Sequence, residues 1–350
     1  MPLSEAGWVG QLPDIVLATL NWRGYEAVFI FFVVSGFLIT DISLKRWGEL
    51  GRIDIVGFYG RRLARIAPLL MALIAVLSLL HLMGVPYYVI DEPNQSLPGA
   101  IAAAVSFYLN GYEAQTTWLP GGWDVLWSLS IEEVFYLGFP IVAFVLTRRP
   151  GLLIVALVFA LSLPYTRAAI TDNPIWQEKA YLPGMAAIAT GVVGGWLART
   201  YQSIAIPRRL LGGLGLSGIA IVLVFENQLW PFLGNATLLV LTFSTLGLLL
   251  GLNRQSTRDA RPARPRRGWG WLCSMGRHSY EIYLTHMFVV FSGVSLFNAS
   301  NIGNAWALGL YILVVPGCGL LGAIIAHCFS MPCDRVLRNS LFGNNRATTG

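Results

Sequence analysis

Polar side chains capable of chemistry are concentrated in four short segments, each within or beside a long apolar stretch of the 350-residue chain. The segments are Phe31–Thr40, Phe58–Pro68, Trp127–Tyr136 and Ser279–His286. Such groups are costly in apolar surroundings, so their presence there marks candidate functional sites. In the first segment the candidate is Ser35, for which the alternative is a helix-packing role beside Gly36.

The second segment places two arginines at the mouth of an apolar stretch. Arg62 and Arg65 are three positions apart, so on a helix they share one face. Guanidinium groups in this arrangement suit bidentate binding of phosphate or pyrophosphate. The alternative is that both arginines only anchor the end of a membrane helix by their positive charge.

The third segment carries two adjacent carboxylates at the start of another apolar stretch. Glu132 and Glu133 follow Trp127 and Ser128, and an unpaired carboxylate in hydrocarbon costs several kcal/mol or becomes protonated. Such a group could act as a general acid or base, or could orient a histidine. For Glu133 the alternative is a charge satisfied by the helix N-terminus.

The fourth segment combines a hydroxyl and an imidazole. Tyr283 and His286 are three positions apart and would share one helix face. A histidine within a membrane helix can equally be a hydrogen-bonded part of the scaffold. The nearby Glu281 makes packing alone a poorer explanation of this segment.

Composition decides the class of protein that must position these residues. The chain is 55% hydrophobic and only 12% charged, with a mean hydropathy of +0.61. Too little polar surface remains to coat a soluble globule, so a bilayer is the expected solvent. Apolar stretches of roughly 18 residues or more predict transmembrane helices rather than the shorter, alternating strands of a membrane barrel.

The sequence therefore predicts an all-α, polytopic transmembrane bundle of about nine spans. The predicted spans cover approximately 24–41, 66–84, 127–147, 151–165, 181–198, 209–225, 232–252, 271–293 and 305–329. The apolar run from Pro98 to Asn110 is too short to cross and is predicted to be re-entrant or interfacial.

The net charge of +6 and the pI near 9.3 do not indicate nucleic-acid binding here, because basic residues of a membrane protein first report topology. Of 24 lysines and arginines, only Arg23, Arg167 and Lys179 fall in predicted outer loops, and Arg277 falls in a span. We therefore expect a multi-pass protein of the inner (plasma) membrane with a cytoplasmic C-terminus.

The chain reads as one membrane domain over residues 1–338. Residues 253–268 form a predicted cytoplasmic loop rich in arginine and proline, and residues 339–350 form a predicted cytoplasmic tail. Residues 1–23 lack the pattern of a signal peptide. Trp118 and Trp123, in the predicted outer loop 85–126, are either membrane-interface anchors or sugar-stacking platforms.

In order and separation, the four segments resemble the motifs of acyltransferase family 3, a family of integral membrane O-acyltransferases. The matching stretches are Phe31–Ile39, Phe58–Pro68, Trp127–Pro140 and Ser279–His286. The resemblance implies a bundle of about ten spans. It also implies transfer of an acyl group, often acetyl, from cytosolic acyl-CoA to a hydroxyl of a carbohydrate, a lipid-linked glycan or another cell-envelope acceptor.

The resemblance also implies roles for the candidate residues. Catalysis is expected of Glu132, Tyr283 and His286, CoA phosphate binding of Arg62 and Arg65, and substrate binding of Ser35, Trp127, Ser128 and Glu133. Acyl-CoA is then the donor substrate, and no metal is expected.

One departure from the family is expected to matter. The family begins with a helix that carries an arginine and, about ten residues later, a histidine taken to be the general base, and this sequence shows no such helix. The remaining histidines are His81, His278, His286 and His327. A catalytically inactive, truncated member acting as a scaffold is therefore one alternative. A small-solute transporter is another, although no inverted repeat supports it.

Overall fold

A computed structural model describes residues 23–146, 149–200, 207–253, 269–299 and 307–342 of the chain. All regular elements in these ranges are helical. The segment before Arg23, the predicted basic loop after Asn253 and the tail beyond Phe342 lie outside the described residues. The α-helices are α1 Gly24–Trp47, α2 Ile55–Leu82, α3 Leu97–Val105, α4 Leu109–Thr116, α5 Gly121–Asp124, α6 Leu126–Val145, α7 Arg149–Leu161, α8 Leu163–Ala168, α9 Pro174–Lys179, α10 Tyr181–Thr200, α11 Arg208–Leu233, α12 Ala236–Leu252, α13 Gly270–Arg277, α14 Ser279–Ala299, α15 Ala307–Ile325 and α16 Met331–Phe342.

The predicted polytopic bundle is confirmed. In the described part of the chain, seven helical stretches are long and apolar enough to cross a membrane. The other two predicted spans, 151–165 and 232–252, coincide with the shorter apolar helices 151–161 and 236–252. The run predicted to be re-entrant or interfacial forms the short helices α3 and α4 rather than one element.

Several boundaries differ from the prediction for local reasons. Helix α2 begins eleven residues before the predicted span because the Asp54 side chain accepts a hydrogen bond of 3.0 Å from the Gly57 N–H and caps the helix. Helix α11 continues past a kink at Phe225 and ends at Gly234, whose φ of 49° suits glycine. The predicted span 271–293 is broken at His278, which has non-helical dihedral angles and separates α13 from α14.

The chain direction defines two ends of the bundle. Helices α1 and α10 end at Trp47 and at Thr200, next to Arg46 and Arg199. We call this the basic end. Helices α3 to α5 connect α2 to α6, and α8 and α9 connect α7 to α10, at the opposite end, which we call the cap end. Between α15 and α16, residues Ala326–Ser330 form a π-helical turn.

The tightest packing in the core joins α1 to α10. A Cβ atom added to Gly191 would collide with the Val33 carbonyl oxygen, and one added to Gly36 would collide with the Ile188 carbonyl oxygen. The two backbones are therefore in direct contact, as small residues allow in membrane helix pairs. Phe32, which is fully buried beside this contact, belongs to the main apolar core.

This contact predicts the effect of one methyl group. We expect Gly191→Ala to lower the free energy of unfolding by about 1–3 kcal/mol, because neither facing backbone can move without shifting a whole helix. The measurement is the thermal unfolding midpoint in detergent. The matched control is Gly138→Ala, where an added Cβ meets nothing within 4 Å and the higher helix propensity of alanine favours the fold. Equal midpoints for Gly191→Ala and the parent would contradict the packing.

Candidate functional site

A cavity of about 370 Å³ opens at the basic end between α1, α2, α6, α14 and α16. Four of the predicted site residues line it: Ser35, Arg62, Arg65 and Glu132. Its wall also contains Phe31, Phe58, Ile66, Leu129 and other apolar side chains. We call it the basic cavity. It combines apolar walls with a few convergent polar groups, which is typical of small-molecule sites.

Arg62 lines this cavity and lies between an aromatic ring and a carboxylate. Its Cζ atom lies 3.2 Å from the centroid of the Tyr136 ring, and its Nη2 atom lies 4.0 Å from Oε1 of Glu133. The Nε atom of Arg62 is buried and has no hydrogen-bond partner. The guanidinium is therefore positioned by the aromatic ring and by charge, with donor capacity left for a ligand.

Glu132 and two hydroxyl groups lie at the inner part of the cavity. The Ser35 and Tyr136 hydroxyls form a short hydrogen bond to each other, and the Glu132 carboxylate interacts with Ser35 and Arg62. Glu132 is only 8% exposed, and its Oε1 atom has no hydrogen-bond partner. A buried carboxylate oxygen without a partner is poised to accept a proton or a hydrogen bond from a bound molecule.

Tyr136 was missed by the sequence analysis, although a signal for it exists. It lies four residues after Glu132 in α6 and hence on the same helix face. The arginines Arg46, Arg61 and Arg338 were also missed, and all three line the cavity. Arg338 could not have been found from sequence spacing, because it comes from α16, far along the chain.

Five other predicted site residues do not line the basic cavity. They are Trp127, Ser128, Glu133, Tyr283 and His286. Glu133 does not line the cavity, although its Oε1 atom lies 4.0 Å from Nη2 of Arg62. Trp127 packs its ring against Tyr25, with centroids 6.3 Å apart, and edge-on against Phe32. Tyr283 and His286 therefore lie outside the cavity that the two arginines line.

Tyr283 is instead the centre of a second polar cluster, which we call the tyrosine cluster. The Ser128 hydroxyl donates to the Tyr283 hydroxyl at 2.5 Å, and that hydroxyl donates to the Val125 carbonyl at 3.1 Å. Phe31 stacks on the Tyr283 ring, with centroids 5.5 Å apart. Because Phe31 also lines the basic cavity, one ring separates the two sites.

His286 belongs to the tyrosine cluster through its own helix. Its Nδ1 atom lies 2.6 Å from the Tyr283 carbonyl oxygen. A carbonyl only accepts, so Nδ1 carries the proton in this contact, and Nε2 is left as the nitrogen with a free lone pair. The ring is therefore both held by the scaffold and chemically competent as an acceptor.

At the cap end, a third cluster ties the short helices together. Lys179 of α9 contacts Glu113 of α4, with 2.6 Å between Nζ and Oε2, and also pairs with Asp124 of α5. Glu113 and Lys179 are 0% and 2% exposed, and burial raises the pKa of Glu113, helped by the nearby Asp124 charge and opposed by Lys179. We call these three residues the cap cluster. The Trp118 ring lies over the Lys179 ammonium, 4.1 Å from its centroid.

The two arginines at the cap end are also internal. Arg23 pairs with Glu226 and donates to the Leu223 carbonyl at 3.1 Å, and Arg167 donates to Asn235. These residues are buried. Arg23 and Arg167 lie at the end of the bundle opposite to most of the basic residues. Because both are buried and paired, they stabilise contacts between helices and do not form a positive surface.

Among the described residues, His, Cys, Asp and Glu side chains form no group of three or more that could hold a metal ion.

The other histidines have contacts within the bundle. His81 accepts a hydrogen bond of 2.9 Å from the Ile90 N–H, which gives it a structural role. The His278 and His327 rings lie edge to face, with centroids 5.2 Å apart.

Comparison with known proteins agrees with this architecture. The chain matches the acyltransferase domain family over residues 14–323. The helical bundle with its basic cavity and buried carboxylate is thus that of an enzyme. The chain is a member of this acyltransferase family. No solved structure matches the chain significantly.

Two kinds of curated relative are similar to the chain. The O-acetyltransferase OatA of Staphylococcus aureus strain NCTC 8325 / PS 47 is 27% identical over 283 residues, which cover 75% of this chain and 45% of that relative. A putative O-acetyltransferase of S. aureus strain COL is 34% identical over 128 residues, which cover 34% of this chain and 20% of the relative. The chain therefore spans less than half of the length of these relatives.

The cap cluster predicts a pH-dependent loss of stability. We expect Lys179→Met to destabilise the fold by about 3–5 kcal/mol above about pH 8, because Glu113 then lacks the cation that compensates its buried carboxylate. The pKa of Glu113 is raised to about 8 with Lys179 present, and loss of the Lys179 charge raises it further. Up to about pH 8 both folded proteins therefore keep the Glu113 proton, and the difference in their stability should not change with pH. Above about pH 8 the parent ionises Glu113 and the variant does not, so the destabilisation should increase with pH.

Thermal unfolding in detergent at about pH 7 and about pH 9.5 tests this expectation. The matched control is Glu92→Gln, an exposed carboxylate at the cap end outside the cap cluster, which should change the midpoint little at either pH. A Lys179→Met effect that is the same at both pH values would exclude a buried charge as its cause.

Proposed function

We propose that this acyltransferase moves an acyl group, most simply acetyl, from cytosolic acyl-CoA to a hydroxyl of a sugar, a cell-envelope glycan or a glycolipid. The observation that carries the proposal is one cavity whose lining joins several arginines to a buried carboxylate, Glu132, of which the Oε1 atom has no hydrogen-bond partner. The similarity to proteins named O-acetyltransferase supports transfer to oxygen.

Donor binding is assigned to the arginines. CoA carries its charge on phosphates and its reactive group on a neutral arm, so a cavity for it needs cations at one end and an apolar path to the other. Arg62 and Arg65 supply cations on α2, and Phe31, Leu129 and Ile66 supply apolar wall. Among the described residues, two carboxylates compete with a phosphate for Arg62: Glu133, at 4.0 Å, and Glu132, which also attracts its guanidinium.

The chemical step is the attack of an acceptor hydroxyl oxygen on the thioester carbonyl carbon. A C–O bond forms, the C–S bond breaks, the hydroxyl loses a proton and the leaving thiolate gains one. A sugar hydroxyl is a poor nucleophile until a base takes its proton. Glu132 is assigned to this proton transfer, because its carboxylate lies in the cavity beside the Ser35 and Tyr136 hydroxyls, which would hydrogen-bond the reacting oxygen atoms.

The acceptor is assigned to the cap-end side of the same region. The tyrosine cluster lies behind Phe31, and Glu132 is close enough to interact electrostatically with Tyr283. Tyr283, Ser128 and the Nε2 atom of His286 would bind and orient an acceptor hydroxyl that approaches from the cap end. A cytosolic donor and an acceptor from the other side of the membrane would then meet beside the Phe31 ring, where the basic cavity adjoins the tyrosine cluster.

The proposal also includes an orientation of the helical bundle in the membrane. Arg46, Arg61, Arg199 and Arg338 lie at the basic end, and the buried arginines of the cap end are internally paired. By the positive-inside bias the basic end faces the cytoplasm of the plasma membrane. The C-terminal helix α16 is then cytoplasmic, where it can contact a soluble donor.

Glu132→Gln tests the assigned proton transfer. We expect transfer of radiolabelled acetyl from acetyl-CoA to the glycan and lipid fractions of inside-out membrane vesicles to fall by about 100-fold or more. Binding of CoA to the purified protein should remain within about threefold of the parent, because Gln keeps the size of the side chain. Glu92→Gln, at an exposed position, is the matched control.

Retained transfer by Glu132→Gln would exclude Glu132 as the base. If the parent protein binds CoA but transfers nothing, the chain is not the complete catalyst. If the parent neither binds CoA nor transfers acetyl, the scaffold alternative is favoured.

Arg62→Gln tests the donor assignment. Loss of a charge-assisted hydrogen bond costs about 1.5–3 kcal/mol, so the dissociation constant for CoA should rise by about 10-fold to 100-fold. The measurement is isothermal titration of CoA into the purified protein. Arg52→Gln is the control, because Arg52 is 76% exposed and pairs with Glu49 outside the cavity. An unchanged constant for Arg62→Gln would contradict phosphate binding by this residue.

A further inference from the structure

The mouth of the basic cavity contains three arginines and a tryptophan to which the proposed function assigns no ligand. They are Arg46 and Trp47 at the end of α1, Arg61 on α2 and Arg338 on α16. All four residues line the cavity. We call this group the mouth subsite.

An aromatic ring lies at the centre of the mouth subsite. The Cζ atoms of Arg61 and Arg46 lie 5.1 Å and 5.8 Å from the centroid of the Trp47 ring. Arg61 also lies 5.5 Å from the centroid of the Phe342 ring. Planar guanidinium groups and indole rings of this kind stack well on nucleotide bases.

The positive charge of the mouth subsite is only partly compensated. Arg46 and Arg338 are close enough to Arg61 to repel it, and Asp54 attracts it. Arg338 has one carboxylate partner, Asp334, with 2.7 Å between Nε and Oδ1. Three guanidinium groups therefore face two carboxylates among the described residues. The surplus charge favours a bound anion.

The mouth subsite is separate from the arginines assigned to the donor's other phosphates. Arg61 points toward Trp47 and Phe342, whereas its neighbour Arg62 lies on Tyr136. Along α1, Ser35 and Trp47 are twelve residues apart, or about 18 Å at 1.5 Å per residue. A ligand that reaches from Trp47 to Ser35 must be long, with a planar base and one phosphate at the mouth and further phosphates inside.

We propose that the mouth subsite binds the adenine ring and the 3′-phosphate of the CoA donor, and that Arg338 of the C-terminal helix recognises this phosphate. The inference rests on the proposed function and adds the direction in which the donor lies. The nucleotide stays at the membrane surface and the thioester reaches Ser35 and Glu132. A donor lacking the 3′-phosphate, or an acyl group on a carrier-protein arm, would bind less tightly.

The test is a comparison of CoA with 3′-dephospho-CoA by isothermal titration in a neutral detergent. The parent should bind CoA about 10-fold or more tightly than dephospho-CoA, since one charge-assisted contact is lost. Arg338→Gln should lower this ratio to near one and leave the affinity for dephospho-CoA unchanged. Arg338→Lys, which keeps the charge, should retain part of the ratio.

Arg335→Gln is the matched control, because Arg335 lies on the same helix, is exposed and does not line the cavity. A parent that binds both ligands equally would overturn the inference and leave the proposed function standing. Equal loss of both ligands in Arg338→Gln would also overturn it, since the residue would then be structural. If the parent binds neither ligand, the proposed function itself fails.

A lipid phosphate is the other source of an anion at a membrane surface. The titrations are therefore repeated in nanodiscs of neutral and of anionic lipid. Competition from anionic lipid that is abolished by Arg338→Gln, without any preference for CoA over dephospho-CoA, would assign the mouth subsite to lipid and overturn the inference.

Discussion

Two adjacent carboxylates, Glu132 and Glu133, lie inside an apolar bundle and must be compensated. Among the described residues, the guanidinium of Arg62 is positioned to do so. It lies 4.0 Å from Glu133 and interacts with Glu132, while the Tyr136 ring supports it from one face. One positive charge cannot fully satisfy both acids. The region around Glu132 is therefore kept open as a cavity, because close-packed hydrocarbon there would leave a buried charge without a partner.

The other helices either fix the position of the cavity or carry the polar clusters beside it. Helices α1 and α10 touch through their backbones at Gly36 and Gly191, which gives the cavity one rigid wall. The cap cluster fixes the opposite end of the bundle by charges that are buried and paired. The tyrosine cluster lies between these two ends, with Phe31 as the partition toward the cavity.

The sequence predicted the helices well, but it predicted poorly where they begin and end and which side chains of different helices come together. In the described part of the chain, apolar length identified each helix that is long enough to span a membrane, because that length is a property of each segment alone. It could not place the start of α2, which depends on the Asp54 cap, nor the break at His278, which lies inside a continuously apolar stretch. Ser35, Arg62, Arg65 and Glu132 were predicted because they lie in sequence motifs, and all four line the basic cavity. Arg338 was not predicted, because it reaches the cavity only where α16 packs against α2.

The π-helical turn at Ala326–Ser330 has a consequence for the phase of the last helix. A π-turn holds about one residue more than an α-turn, and one residue corresponds to about 100° of rotation around the axis. The side of α16 that carries Arg338 is thus rotated by about that angle from where an unbroken helix would have placed it. A single extra residue in this turn therefore sets whether the guanidinium of Arg338 faces the mouth of the cavity or the lipid.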